Sequence, residues 1–268
     1  MRRRLDSELV RRGLAGSRSE AREAVEAGLV TVGGRPAGKA STMVAASEPV
    51  VLAGPGRRFV SRGGEKLDAA LDRFGVDVAG RDALDAGAST GGFTDVLLRR
   101  GAARVAAVDV GYGQLAWSLR QDPRVTVLER TNVRGLGRRD LPFEPSVVVA
   151  DLSFISLRLV LPALVGLAAP AAEFVLLVKP QFEVGPERVG SGGVVRDPEA
   201  WRHALDGVVA ALAERSLQPA GVMASPVLGP AGNVEFLLHA EAVDSGGADL
   251  DAAVVEGIAL RDAARSPT

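Results

Sequence analysis

Apolar positions repeat along this chain in two different ways, and the change of rhythm divides it. Over residues 4–12, Leu5, Leu9 and Val10 fall on one helical face, and Gly13 follows as a stop signal. Ser17-x-x-Glu20 is a capping-box signature for a second helix, with Ala21, Ala24 and Val25 turned inward and Gly28 at its end. Residues 29–32 read as a strand, Gly33-Gly34 as a hairpin turn, and residues 50–52 as a further strand. Past residue 60 the pattern coarsens. Residues 65–74 predict a helix burying Leu67, Ala70, Leu71 and Phe74. Unbroken apolar runs then recur at 105–108, 125–128, 147–150 and 174–178, with helical spacing at 114–121 and 157–167. Further helices are predicted at 200–215 and 249–264, and further strands at 220–224 and 234–239. Near-continuous apolar strands joined by helices predict an α/β fold, a mostly parallel sheet with helices on both faces. The Pro- and Gly-punctuated stretch 54–60 reads as a linker, giving a small α+β unit over residues 1–60 and a large one over 61–268.

One stretch organises the larger unit: Leu84-Asp85-Ala86-Gly87-Ala88-Ser89-Thr90-Gly91-Gly92-Phe93. It reads as a buried strand end, a tight glycine turn and the first turn of a helix. Glycines let backbone approach a ligand closely, and the helix start offers free N–H groups. The spacing is not the G-x-G-x-x-G of nicotinamide enzymes. An acidic residue two places before the first glycine instead resembles the S-adenosylmethionine loop of Rossmann-like methyltransferases. That likeness assigns Asp85, Gly87, Ala88, Ser89, Gly91, Gly92 and Phe93 to a cofactor site.

Charge sharpens the division. The net charge is −1, yet residues 1–60 hold eleven basic and six acidic residues, leaving 21 basic and 27 acidic for the remainder. A basic head on an acidic body suggests a polyanion-binding module joined to a domain with another task. Arg3, Arg4, Arg18, Arg22, Arg57 and Arg58 are its candidate phosphate contacts. With no cysteine, disulfides and thiolate metal sites are excluded, which fits a reducing cytoplasm; no metal is implied. The longest uncharged apolar run, 159–172, is interrupted by Pro162 and Pro170 and is short of a membrane span.

Asp85, Asp109, Asp151 and Lys179 each stand at the end of an apolar run, where a parallel sheet opens its ligand crevice. Asp109 suits ribose hydroxyls, and Asn132, after the 125–128 strand, would border an adenine. Lysine is scarce here, with only Lys39, Lys66 and Lys179. Arginine stays protonated whereas a desolvated lysine can release its proton, so a site needing a neutral amine must use lysine. The glycine-rich residues 180–197 are long enough to close over a substrate, with Arg188 and Arg196 available for phosphate; a plain surface loop is the alternative. His203 and His239 read as structural, and Trp117 and Trp201 as helix packing.

The segment SRSEAREAVEAGLVTVGG resembles the RNA-binding domain named after the fourth small-subunit ribosomal protein. In the body, SRGGEKL, LDAGASTGGFTD, VVVADLSFISL, LLVKPQFEVG and GNVEFLLHA resemble ribose 2′-O-methyltransferases with a Lys-Asp-Lys-Glu tetrad. Almost end to end, the chain resembles the TlyA (hemolysin A) family of rRNA methyltransferases. Some members carry Trp in the interdomain tetrapeptide where this chain has Phe59. The resemblance implies a catalytic tetrad of Lys66, Asp151, Lys179 and Glu235, with Asp151 also beside the cofactor. It also implies S-adenosylmethionine as methyl donor and a cytidine 2′-hydroxyl in ribosomal RNA or ribosomal subunits as acceptor. Lys179 is the expected base. A lysine of ordinary pKa ~10.4 is neutral in only about one molecule in a few thousand at pH 7, so the role calls for desolvation and nearby positive charge. One consistent division pairs Lys66 with a carboxylate, to orient the ribose, and leaves Lys179 facing mainly cations; which carboxylate meets which lysine stays open in the sequence. Other readings are a non-catalytic assembly factor and a hemolysin-like activity.

Overall fold

The apolar runs of the body lie side by side in a single seven-stranded sheet. The computed structural model describes residues 2–16, 18–26, 28–52, 58–243 and 246–264. The chain divides into two compact units, Met1–Val60 and Ser61–Thr268.

In the first unit, β1 (Arg2–Arg4) pairs antiparallel with β4 (Met43–Ala45). Helices α1 (Leu5–Arg11) and α2 (Arg18–Glu26) pack on one another. Strand β2 (Val30–Val32) lies between β3 (Arg35–Pro36) and β5 (Val50–Leu52), both antiparallel to it. Leu5, Leu9, Ala21 and Val25 bury the helical faces read from the sequence, against Val30, Val44 and Val50. The three arginines of β1 carry no apolar alternation, which is why the pattern did not reveal a strand there. The expected capping residue Ser17 and residues 53–57, which include Arg57 and the first four positions of the 54–60 linker, lie outside the described residues.

The second unit begins with α3 (Gly63–Phe74) and continues through β6 (Asp82–Ala86), α4 (Gly92–Arg99), β7 (Arg104–Val108), α5 (Trp117–Arg120) and β8 (Val125–Leu128). It goes on through β9 (Val147–Ala150), α6 (Leu157–Leu167), β10 (Glu173–Val178), α7 (Pro180–Glu183) and α8 (Pro198–Ala213). Strands β11 (Gln218–Ala224) and β12 (Phe236–Glu241) and helix α9 (Leu250–Ala263) complete it. The strand order is β11-β12-β10-β9-β6-β7-β8. From β10 to β8 every pairing is parallel, and β12 enters antiparallel against β10. Val147, Val148, Val149 and Ala150 are fully buried, as parallel strands covered on both faces must be. Each such Val or Leu contributes about 1.5–3 kcal/mol by leaving water. Helices α6 and α8 close a core with these strands, while α3 packs on α4.

Direction places the chemistry. Parallel strands β6, β7, β9 and β10 all finish at one edge, and antiparallel β12 starts there. The register pairs Val178 with Phe236, so Lys179 and Glu235 occupy the next positions beyond the ladder.

Candidate active site

Strand β6 leads into a turn with Gly87 at φ 86° and Ser89 at φ 47°. A Cβ on Gly87 would collide with the Asp151 carbonyl, so this position has room only for glycine. Ser89 N donates to Asp109 Oδ2 at 2.8 Å and Gly111 N to Asp109 Oδ1 at 2.6 Å, fixing that carboxylate at the end of β7. Beside the turn opens a cleft of about 440 Å³ lined by Gly87, Ser89, Asp109, Gln114, Asn132, Asp151 and Phe154 among others. That volume lies in the range of small-molecule sites. The Asn132 side chain accepts from Arg134 N at 3.1 Å and caps a short turn.

The remaining residues of the glycine stretch sit beneath the cleft rather than on its wall. Ala88 and Phe93 are buried. Gly91 lies against Leu115 and Leu119, and Gly92 against Ser61 and Gly64. Asp85 is fully buried inside β6; Thr94 Oγ1 donates to its Oδ2 at 2.6 Å, and its Oδ1 has no partner. Burial pushes the Asp85 carboxyl up to about 7, reinforced by the negative charges of Asp151 and Asp109 and opposed by Thr94.

Two ion pairs stand at the same sheet edge. Lys66 Nζ lies 2.5 Å from Glu235 Oε2, with Lys66 at 7% and Glu235 at 0% exposure. Lys179 Nζ lies 2.6 Å from Asp151 Oδ1 and donates to Ser153 Oγ at 2.9 Å. Both pairs lie beside α3: Gly63 at its start is close to Asp151, and Lys66 follows one helical turn later. Glu235 Oε1 is buried and unpartnered. Each lysine thus has its own carboxylate, and Lys179 does not face mainly cations, because β9 and β10 are neighbours and Asp151 meets it directly.

Other expectations need correction. Residues 180–197 are no free closing loop: Val195 N donates to Asn233 Oδ1, Asn233 Nδ2 to the Gly193 carbonyl, and Trp201 Nε1 to the Val195 carbonyl. Helix α5 is confined to four residues, and Trp117 is 72% exposed rather than packed. His203 is exposed, whereas His239 is buried, stacked on Phe74 at 5.6 Å and 3.1 Å from Glu173 Oε2. In the head, Arg4 and Arg18 both pair with buried Asp6, at 2.8 and 3.1 Å, holding its carboxyl far below the usual range. Arg3, Arg22 and Arg58 are exposed. Sequence reasoning missed Ser153 and Phe154. The Phe154 ring is 90% exposed and its φ is 64°, beside Asp151 on the cleft wall. A large exposed aromatic next to a charged strand end was the available signal.

The fold and the paired strand-end residues define a class, and comparison with known proteins agrees with it. Residues 59–242 match the FtsJ-like methyltransferases, and residues 3–50 match the S4 domain. The 16S/23S rRNA (cytidine-2′-O)-methyltransferase TlyA of Mycobacterium tuberculosis is 57% identical over 88% of this chain and 89% of its own length. Hemolysin A of Brachyspira hyodysenteriae is 36% identical over 88% of this chain and 98% of its own. A solved hemolysin-like structure from Streptococcus thermophilus superposes with TM-score 0.81 at 39% identity, covering 98% of both chains. The molecule is a methyltransferase with an RNA-binding type of head domain. It belongs to the TlyA (hemolysin A) family. Among the described residues no helix is long and apolar enough to cross a membrane.

Proposed function

We propose that this protein transfers a methyl group from S-adenosylmethionine to the ribose 2′-hydroxyl of a cytidine in ribosomal RNA, presented on ribosomal subunits. The observation that carries the reading is the meeting of Lys179–Asp151 and Lys66–Glu235 at the sheet edge where the glycine turn and its cleft also lie. S-adenosylmethionine, when bound, supplies a methyl group on a cationic sulfur that needs no further activation.

The residues present suit such a ligand. Asp109 is oriented by two N–H groups and keeps lone pairs for ribose hydroxyls; Asn132 borders the base; Gly87 and Ser89 offer close backbone. Lys179 hydrogen-bonds the attacking 2′-oxygen and takes its proton once its own has passed to Asp151, 2.6 Å away, a role worth about 10²–10⁴ in rate. Asp151 and Ser153 hold that amine at 2.6 and 2.9 Å. Glu235, wholly buried with its Oε1 against Gly229, holds Lys66 in place beside the acceptor ribose. The Phe154 ring gives an unstacked base an apolar face beside the site. Arg3, Arg22 and Arg58, with the outward N–H groups of Arg4 and Arg18 and with Arg57, meet phosphates and fix register without reading sequence.

The test is direct. Purified protein, S-adenosylmethionine and ribosomal subunits are incubated, and 2′-O-methyl groups are mapped by mass spectrometry. A new methyl on a cytidine ribose, absent with Lys179→Ala, is the expected result; a methylated base would refute the reading.

A further inference from the structure

Strands β9 and β10 run side by side, and the segments that leave them are tied together by one buried side chain. Glu183, the last residue of α7, is 5% exposed. Its Oε2 accepts from Ser156 Oγ at 2.6 Å and its Oε1 from Leu157 N at 2.7 Å. Arg158 closes the knot from the other segment: Nε lies 3.3 Å from Glu183 Oε2 and Nη2 donates to the Glu183 carbonyl at 2.8 Å. Burial raises the Glu183 carboxyl above its ordinary value, while Ser156, the Leu157 N–H and Arg158 pull it down.

Helix α6 does not require this arrangement for its own sake. Ser156 already caps it, its Oγ accepting from Arg158 N at 3.2 Å. A buried carboxylate brought in from another element carries a desolvation cost, so its value lies in what it joins. What it joins is the chain just beyond Asp151 to the chain just beyond Lys179. An ammonium on a flexible four-carbon stem does not hold its own position. Asp151 and Ser153 both belong to the first segment, so they aim Lys179 only while the two segments stay in register.

We infer that Glu183 is a positioning residue for methyl transfer, fixing the Asp151–Ser153 segment against the Lys179 segment so that the amine stays aimed. The inference rests on the role of Lys179 proposed above. A displacement of about 1 Å at such a centre can lower a rate by about 10².

Glu183→Ala, Glu183→Gln and Ser156→Ala are compared with wild type and Lys179→Ala on the same ribosomal substrate. Glu183→Ala is expected to lower kcat by about tenfold or more while the dissociation constant for S-adenosylmethionine, read by calorimetry, changes by less than about twofold. Glutamine keeps an acceptor for Leu157 N and recovers most of kcat; Ser156→Ala falls between. Amide hydrogen exchange in Glu183→Ala speeds up in residues 152–157 and 180–184 together. An unchanged kcat with a lowered melting temperature would overturn the inference, as would equal losses of kcat and donor affinity. If Lys179→Ala methylates like wild type, the Lys179 reading fails instead, and the exchange data alone decide whether Glu183 ties the segments.

Discussion

Ion pairs of the head and ion pairs of the candidate active site are made of the same charges and sit in different surroundings. In the head, Asp6 is bonded by Arg4 and Arg18, and Glu8 by Arg11 and Arg12. Each carboxylate is used from several directions by forked guanidiniums that never lose their charge. At the candidate site each carboxylate holds a lysine through one oxygen, at 2.5 and 2.6 Å, and the second oxygen of Glu235 is buried against Gly229 with no hydrogen bond. A saturated pair supports a fold. In the proposed reaction, a lysine held by one carboxylate oxygen keeps an N–H for the visiting hydroxyl.

The comparison breaks most visibly at Lys179. Lys179→Arg retains positive charge, yet is expected to lower kcat by about 10²–10⁴ with donor affinity unchanged; single-turnover methylation measures it. Full activity would mean that charge alone suffices there.

Next comes stability. Lys66→Ala leaves Glu235 buried and uncompensated, at an expected cost of about 3–5 kcal/mol. The double replacement Lys66→Met with Glu235→Leu is expected to recover most of that in denaturant unfolding while remaining inactive. An equally unstable double variant would show that the pair itself holds the body together.

A smaller effect separates buried acids by their response to pH. Asp85 has its folded pKa raised to about 7, so the folded state binds its proton more tightly than the unfolded chain. Its stabilising contribution is complete below pH ~4 and is lost as pH rises to about 7. Asp6, depressed by Arg4 and Arg18, works the opposite way, and its contribution is lost as pH falls through the acid range. Asp85→Asn is expected to flatten the decline in melting temperature between pH ~4 and ~7, leaving the acid limb intact.

The smallest effects are those of the exposed arginines. Arg3→Ala and Arg22→Ala are each expected to reduce the slope of log affinity against log salt by about one, with stability within about 0.5 kcal/mol. Arg4→Ala should lower the head's stability as well, because it also releases Asp6.

Much of this was legible in the chain, and what was not has physical reasons. The runs 147–150 and 174–178 announced themselves because strands buried on both faces have no polar alternation to confuse. Helix α6 matched its predicted span because its periodic apolar face coincides with a Ser156 cap. The partner of each lysine was not legible: Lys179 meets Asp151 because β9 lies beside β10, and Lys66 meets Glu235 because β12 runs antiparallel, both facts of topology. Ser153 and Glu183 were invisible for another reason. Serine and glutamate occur on any surface, and only burial shows them to be engaged. Residues 180–197 misled because glycine content suggests freedom, whereas Asn233 and Trp201 pin them through three hydrogen bonds.

The inner part of β12 has a consequence for how the site is assembled. Phe236, Leu237, Leu238 and Ala240 are all wholly buried, so apolar alternation does not tell this strand where to stop sliding, and polar contacts such as His239 with Glu173 must. A slip of one residue would keep the sheet greasy and continuous, yet turn Glu235 away from Lys66. Asn233 adds a further peg against that slip, gripping Val195 and Gly193 just ahead of the strand. A misthreaded copy would therefore be softer to a calorimeter, by the loss of the Lys66–Glu235 pair, as well as blind to its substrate.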